Sequence, residues 1–302
     1  MTKPPMSLLA ANLVCMASML VWAAGLPAAE IIIPLLPALS FSAARMSLGA
    51  LALLPIWVLI EGTGVLRGAG WLQGIMVGGL LGVGALCIII GQTLTDPVTV
   101  AIISATMPVV GIALEVVLDG KKLTPGLILG LLLSLVGGVV ALGGSLGGLG
   151  LGMGALICFV SVLTFTLGSR LTVTSFPTLT PLGRTSVTLV GAAIVTLCAA
   201  SLHIAFGSPA PDFSSFGPKE VSALLVFAVG GLAVSQVLWI MSVGRLGIGM
   251  ASLHINATPF YVMIIMFAFG SPWNWAQAIG AAIVGLGVLV AQGILPIRQA
   301  TI

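Results

Sequence analysis

Polar residues are scarce in this chain, so the few that cluster are the place to look for chemistry. Ser252, His254, Asn256, Thr258 and Tyr261 fall within ten residues of an otherwise apolar stretch. On a helix turning 100° per residue, His254, Thr258 and Tyr261 share one face, while Ser252, Asn256, Pro259 and Met263 share another. A helix polar on two faces cannot turn either to lipid, so it belongs inside a bundle, with one face packing and the other lining a path. Polar groups in a membrane are functional suspects, and His254 is the one group here able to relay a proton. The plainer alternative is hydrogen bonding between helices, worth about 0.6 kcal/mol per pair. Upstream, Ser235, Gln236 and Trp239 lie on one stripe (i, i+1, i+4). The Gln236 amide can donate to a carboxylate, and Trp239 offers a ring to stack on or a face for an ammonium. Such a set holds a zwitterion with an apolar side chain. Trp239 can equally anchor its helix end at the membrane surface.

Two prolines, Pro108 and Pro259, fall near the middle of apolar runs. Each lacks the N–H that would bond the carbonyl four residues earlier, which leaves the carbonyls of Ser104 and Ile255 available. Freed backbone inside a bilayer is tolerated where it is buried or lines a cavity; a packing kink is the alternative. Trp22 is a candidate cavity wall, whereas Trp57, Trp71, Trp273 and Trp275 sit at span ends and read as interfacial belt residues. Arg45 and Arg184 each lie one turn into their runs, where long basic side chains snorkel towards the surface or cap loop carbonyls. The candidate substrate-binding set is therefore Trp22, Ser104, Pro108, Ser235, Gln236, Trp239, His254, Thr258, Pro259 and Tyr261.

What is missing narrows the chemistry further. No Asp or Glu lies mid-run, so neither an obligatory proton relay nor a sodium site is expected. With two histidines and no mid-run acid, the pairs that an intramembrane enzyme needs are absent. Cys15, Cys87, Cys158 and Cys198 lack CxxC spacing and read as packing residues, so no metal or other cofactor is expected. The Gly-rich stretch 143–154 lacks the Lys-Ser/Thr ending of a phosphate-binding loop.

Composition says what must position these groups. Of 302 residues, ten are Lys or Arg and seven are Asp or Glu, where a soluble chain of this length would carry roughly 75 charges. Seventeen charges cannot cover a water-soluble globule, and the mean hydropathy of +1.27 agrees. A soluble enzyme, a nucleic-acid binder and a disordered chain are excluded together. Apolar runs predict ten spans, near 7–27, 41–60, 71–92, 97–118, 124–144, 150–169, 180–203, 220–243, 247–269 and 274–295. The first run, about 20 residues long, exceeds the usual 7–15 of a cleaved leader and is read as a span. With both termini cytoplasmic, Lys3, Arg67, Lys121, Lys122, Arg170, Arg184, Arg245 and Arg298 fall inside, and only Arg45 and Lys219 outside.

The chain also repeats itself. Val14, Cys15, Ser18, Leu20 and Gly25 align with Ile157, Cys158, Ser161, Leu163 and Gly168, and Trp22 with Phe165. Arg45 and Ser47 match Arg184 and Ser186, Val77-Gly78-Gly79-Leu80 matches Val229-Gly230-Gly231-Leu232, and Pro108 matches Pro259. Gly130, Gly137, Val140, Ala141 and Gly143 match Gly280, Gly287, Val290, Ala291 and Gly293. Five spans per half is an odd number, so the second half enters the membrane from the opposite side. Such inverted repeats build many secondary transporters, with substrate held between them.

Two five-span halves, an Arg near the start of each second span, a central Pro in each fourth and a Gly-rich fifth resemble the EamA repeats of the drug/metabolite transporter superfamily. The resemblance covers nearly the whole chain, and it is most similar to YddG-type exporters of aromatic and other neutral amino acids. It implies an all-α integral membrane protein in which ten transmembrane helices form two five-helix inverted-topology repeats, 1–146 and 147–302, around a central cavity. That cavity would be lined chiefly by spans three, four, eight and nine. The implied activity is export of small amphipathic metabolites by alternating access, as a facilitator without obligatory proton coupling, in the inner (plasma) membrane. Its partners would be the small-molecule substrate and the lipid bilayer, with no nucleic acid, as a monomer or loose dimer. A carrier of the same architecture for a purine, drug or sugar derivative is the alternative. A cation carrier would want a mid-membrane Glu, and a nucleotide-sugar carrier several basic residues in the cavity.

Overall fold

In the computed structural model, the described residues are 6–95, 97–141, 153–273 and 275–291. Among them every regular element is helical and there is no strand. The elements are α1 (Leu8–Ile32), α2 (Ala38–Glu61), α3 (Trp71–Thr93), α4 (Pro97–Ser104), α5 (Met107–Asp119), α6 (Pro125–Ala141), α7 (Met153–Thr174), α8 (Pro181–Ala205), α9 (Pro218–Leu225), α10 (Ser235–Leu246), α11 (Ile248–Ser252), α12 (Thr258–Ala268) and α13 (Trp275–Ala291). Local chemistry sets their ends. Proline opens α4, α6, α8 and α9, where its missing N–H costs nothing. Ser7 and Thr180 cap α1 and α8 by accepting from the N–H groups of Ala10 and Gly183, both at 3.1 Å. Gly62 and Gly247, at φ of 84° and 81°, end α2 and α10 in a backbone region that side chains disfavour.

Among the described residues, seven helical stretches are long and apolar enough to cross a membrane: Leu8–Ile32, Ala38–Glu61, Trp71–Thr93, Met153–Thr174, Pro181–Ala205, Pro218–Leu246 and Ile248–Ala268. The sixth of these runs through a π-helical stretch, Val226–Val234, between α9 and α10. The seventh contains a 3-10 turn, Leu253–Ala257, between α11 and α12. The expected fourth span is broken instead at Ala105–Thr106, between α4 and α5. The helix boundaries lie within a few residues of expectation, except that α1 continues through Pro27 to Ile32 and α7 continues to Thr174. The boundary between the proposed halves, with the join at Gly144–Leu149, lies outside the described residues, as do Asp96, Lys3 and Arg298.

The packing exchanges partners in a regular way. Helix α1 packs against the π-helical stretch, α10 and α12, while α7 packs against α3, α4 and α5. Down the middle α2 lies on α8, α5 on α11 and α6 on α13. Glycines make the closest crossing possible. A methyl on Gly78 would land on the Thr188 carbonyl oxygen and lie 2.8 Å from the Gly191 carbonyl carbon, so α3 and α8 touch backbone to backbone. Buried apolar side chains then fill the bundle, with Met19, Met107, Val162, Trp239 and Ile255 in the cluster nearest its centre.

Candidate functional site

A cavity of about 760 Å³, open mouth included, lies where α1, α2, α3, α7 and α10 face the helix breaks. Its framework is a pair of matched hydrogen bonds. Ser18 on α1 donates to the Ser235 carbonyl at 2.7 Å, and Ser161 on α7 donates to the Gly84 carbonyl at 2.7 Å. Both serines line the cavity. They are the two serines aligned in the sequence reading; Ser18 ties α1 to α10 and Ser161 ties α7 to α3. Ser235 turns its own hydroxyl back to the Gly231 carbonyl at 2.8 Å, which removes that O–H from the cavity's supply of donors.

Of the expected site residues, the structure brings Trp22, Ser104, Ser235, Gln236 and Trp239 to the cavity wall. Trp239 is 1% exposed and donates its Nε1–H to Ser169 Oγ at 3.0 Å. It is therefore an interior wall residue rather than a surface anchor, and Phe165 stands 6.2 Å away between ring centroids. Trp57, expected in the interfacial belt, is likewise fully buried, wedged against Gly183.

Pro108, His254, Thr258, Pro259 and Tyr261 do not line this cavity. Pro108 and Pro259 sit at the starts of α5 and α12, each just after a helix break. There the lost N–H would have been unpaired in any case. His254 Nδ1 lies 3.2 Å from the Ala251 carbonyl, and Tyr261 packs by its ring, with its hydroxyl 4.0 Å from Met16 Sδ. The Thr258 hydroxyl and both amide atoms of Asn256 are buried without hydrogen-bond partners. The two-faced helix drawn from a uniform 100° turn does not hold across 253–257, because a 3-10 turn advances 120° per residue. Ile255 faces the cavity in their place.

Sequence reasoning also misplaced Arg45. It does not snorkel: it is 3% exposed, lines the cavity, and holds its guanidinium carbon 3.8 Å above the centre of the Phe227 ring. The reason is length. Helix α2 begins at Ala38, so Arg45 stands about two turns inside it, roughly 10 Å from the end at 1.5 Å per residue. Arg184 lies in the first turn of α8 and donates to the carbonyls of Phe176 (2.8 Å) and Pro177 (3.2 Å), the capping role expected of both. Among the described residues no Asp or Glu lines the cavity. Three acids have partners elsewhere: Glu115 with Lys121 at 2.7 Å, Asp119 with Arg170, and Glu30 with the Gln92 amide at 2.8 Å.

The cavity wall is apolar, with serine hydroxyls, an arginine and an amide set into it. Residues 9–143 match the EamA-like transporter family. The match takes in most of the first half of the chain. The uncharacterized transporter YyaM of Bacillus subtilis (strain 168) is 29% identical over 225 residues, covering 73% of this chain and 72% of its own. That alignment is longer than either half of the chain, so it crosses from one into the other. A solved structure, described only as a crystal structure of protein, superposes with a TM-score of 0.72 at 22% identity and covers 94% of this chain and 96% of its own. The likeness to the EamA-like family thus rests on residues 9–143 and that to the solved structure on the fold of nearly the whole chain.

Proposed function

We propose that this EamA-type protein is a secondary transporter that exports small amphipathic metabolites, with aromatic and other neutral amino acids as the leading class. The observation that carries the proposal is the pairing of one central cavity with two helix breaks at matched positions, Ala105–Thr106 before Pro108 and Leu253–Ala257 before Pro259. A helix already broken beside a cavity can tilt its two halves separately. Two such helices related by a pseudo-two-fold axis can open the cavity to one side and then the other. The exchanged packing of α1 and α7 and the paired bonds of Ser18 and Ser161 support reading the chain as two five-helix inverted halves. On this reading α4 and α5 together, α6 and α13 complete ten spans, and both termini face the cytoplasm.

Coupling is read from what lines the cavity. With no carboxylate there and His254 turned to the Ala251 carbonyl, the substrate meets no group that must gain or lose a proton as it passes. The transporter then acts as a facilitator running down the substrate's own gradient. Proteoliposomes holding only this protein test it, with radiolabelled phenylalanine and tryptophan and with or without a pH gradient. Saturable flux of equal size under both conditions is expected. Flux that vanishes without the gradient overturns the facilitator. Flux of adenine or a cationic dye in place of amino acids would move the substrate to the alternative class.

A further inference from the structure

Arg45 is a full positive charge inside the bundle, and among the described residues no acid pairs with it. Its one neighbour of opposite character is the face of the Phe227 ring, which meets the plane of the guanidinium and leaves its edge to other partners. Nε on that edge has no hydrogen-bond partner. The same cavity carries a second unpartnered donor, Nε2 of the buried Gln236. A buried charge left unpaired is costly, and this one stands too far inside α2 to reach past the helix end. Every other polar group on the wall is a serine hydroxyl, or the indole N–H of Trp239, already donated to Ser169, or that of Trp22. The rest of the wall is apolar and aromatic, with Met107, Ile255 and Phe165 prominent.

We infer that the cavity is a carboxylate site: Arg45 and Gln236 together receive the carboxylate of the transported molecule, whose apolar body lies against Trp22 and Phe165. The planar guanidinium fork matches the two oxygens of a carboxylate, which a lysine ammonium does not. Nothing on the wall offers an acid to an ammonium, so the amino group of an amino acid is accommodated without being required. This rests on the transport reading but sharpens it. The cavity selects for the carboxylate, and an apolar monocarboxylate without an amino group is as good an occupant as the amino acid.

The test compares phenylalanine, 3-phenylpropanoate, phenylalaninamide and phenethylamine as ligands of the purified full-length protein, read by intrinsic tryptophan fluorescence excited at the red edge. Trp22 and Trp239 report from the cavity wall itself. Both carboxylates are expected to bind and both amines to fail. R45Q should weaken the carboxylates at least tenfold, R45K less, and Q236L a few-fold. Phenethylamine binding as well as 3-phenylpropanoate to the unaltered protein overturns the inference even if no variant folds. So does R45Q binding the carboxylates within twofold. Proteoliposome flux separates this from the transport reading. Adenine or dye flux that R45Q leaves unchanged would sink the carboxylate site and spare the transporter. Arg45-dependent carboxylate binding with no flux of any solute would keep the site and sink the transporter.

Discussion

The same four residues occur twice and do two different things. Val77-Gly78-Gly79-Leu80 continues a regular α-helix in α3, whereas Val229-Gly230-Gly231-Leu232 falls inside the π-helical stretch of Val226–Val234. Their glycines also serve different crossings. In the first half Gly78 takes the backbone of α8, near Gly191. In the second half Gly231 meets Gly25, with 3.1 Å between an added methyl and the Gly25 Cα, while Gly230 has nothing nearer than Val21 at 4.0 Å. The wider turn matters because Gly231, Leu232, Ser235 and Gln236 all line the cavity. A π turn inserts one residue into the helical register and re-aims the side chains beyond it, a device often found at binding sites. The same four residues therefore sit in helices of different hydrogen-bond register, and both helices contribute to the cavity wall.

The glycines supply the largest test of that contrast. Gly78→Ala drives a methyl into the backbone of α8, which cannot yield as a flexible side chain would. A loss of about 3 kcal/mol is expected, at the upper end of overpacking costs. Gly230→Ala, its counterpart, should stay within about 1 kcal/mol of the unaltered protein. Thermal unfolding in detergent, followed by the fraction remaining monodisperse, measures both. Equal losses would mean that the two runs pack alike and that the π turn has no bearing on the crossing.

Much of this arrangement is legible in the residues themselves. Charge scarcity establishes the membrane, prolines and glycines mark the helix ends, and the aligned Ser18 and Ser161 foreshadow the paired bonds that frame the cavity. Matched positions also expose Phe165 as a wall residue through its partner Trp22. The remainder depends on distances that no local pattern encodes. Three extra residues at the start of α2 turn Arg45 from a snorkelling residue into a buried one. A 3-10 turn rotates His254 and Thr258 off the face that a uniform helix assigns them. Trp57 lies near a helix end, as a belt residue should, but Gly183 across the crossing gives its ring a place inside.

A smaller effect separates the two arginines. Arg184→Ala removes donors from the carbonyls of Phe176 and Pro177, and a cost of about 1 kcal/mol is expected, at the low end for charge-assisted bonds because the side chain is half-exposed. Flux per folded molecule should not change, since Arg184 does not line the cavity. Arg184→Lys should restore part of the stability. If Arg184→Ala instead altered which ligands bind, the two matched arginines would share one function and the asymmetry drawn between the halves would fail.

The smallest effect concerns the helix ends. At one end of the bundle α5 and α7 are joined by Asp119 and Arg170. The counterparts under exchange of the halves are the ends of α12 and α1, and among the described residues no ion pair joins those. The Asp119 side chain is 46% exposed and that of Arg170 18%, so water and salt screen the pair, and exposed pairs contribute about 1 kcal/mol at most. Asp119→Asn should therefore lower stability by under about 1 kcal/mol at low salt. High salt should erase the difference, as screening removes the attraction that only the unaltered protein has. A loss that persists in high salt would assign the contact to packing and hydrogen bonding. The two ends of the bundle would then differ in shape rather than in charge.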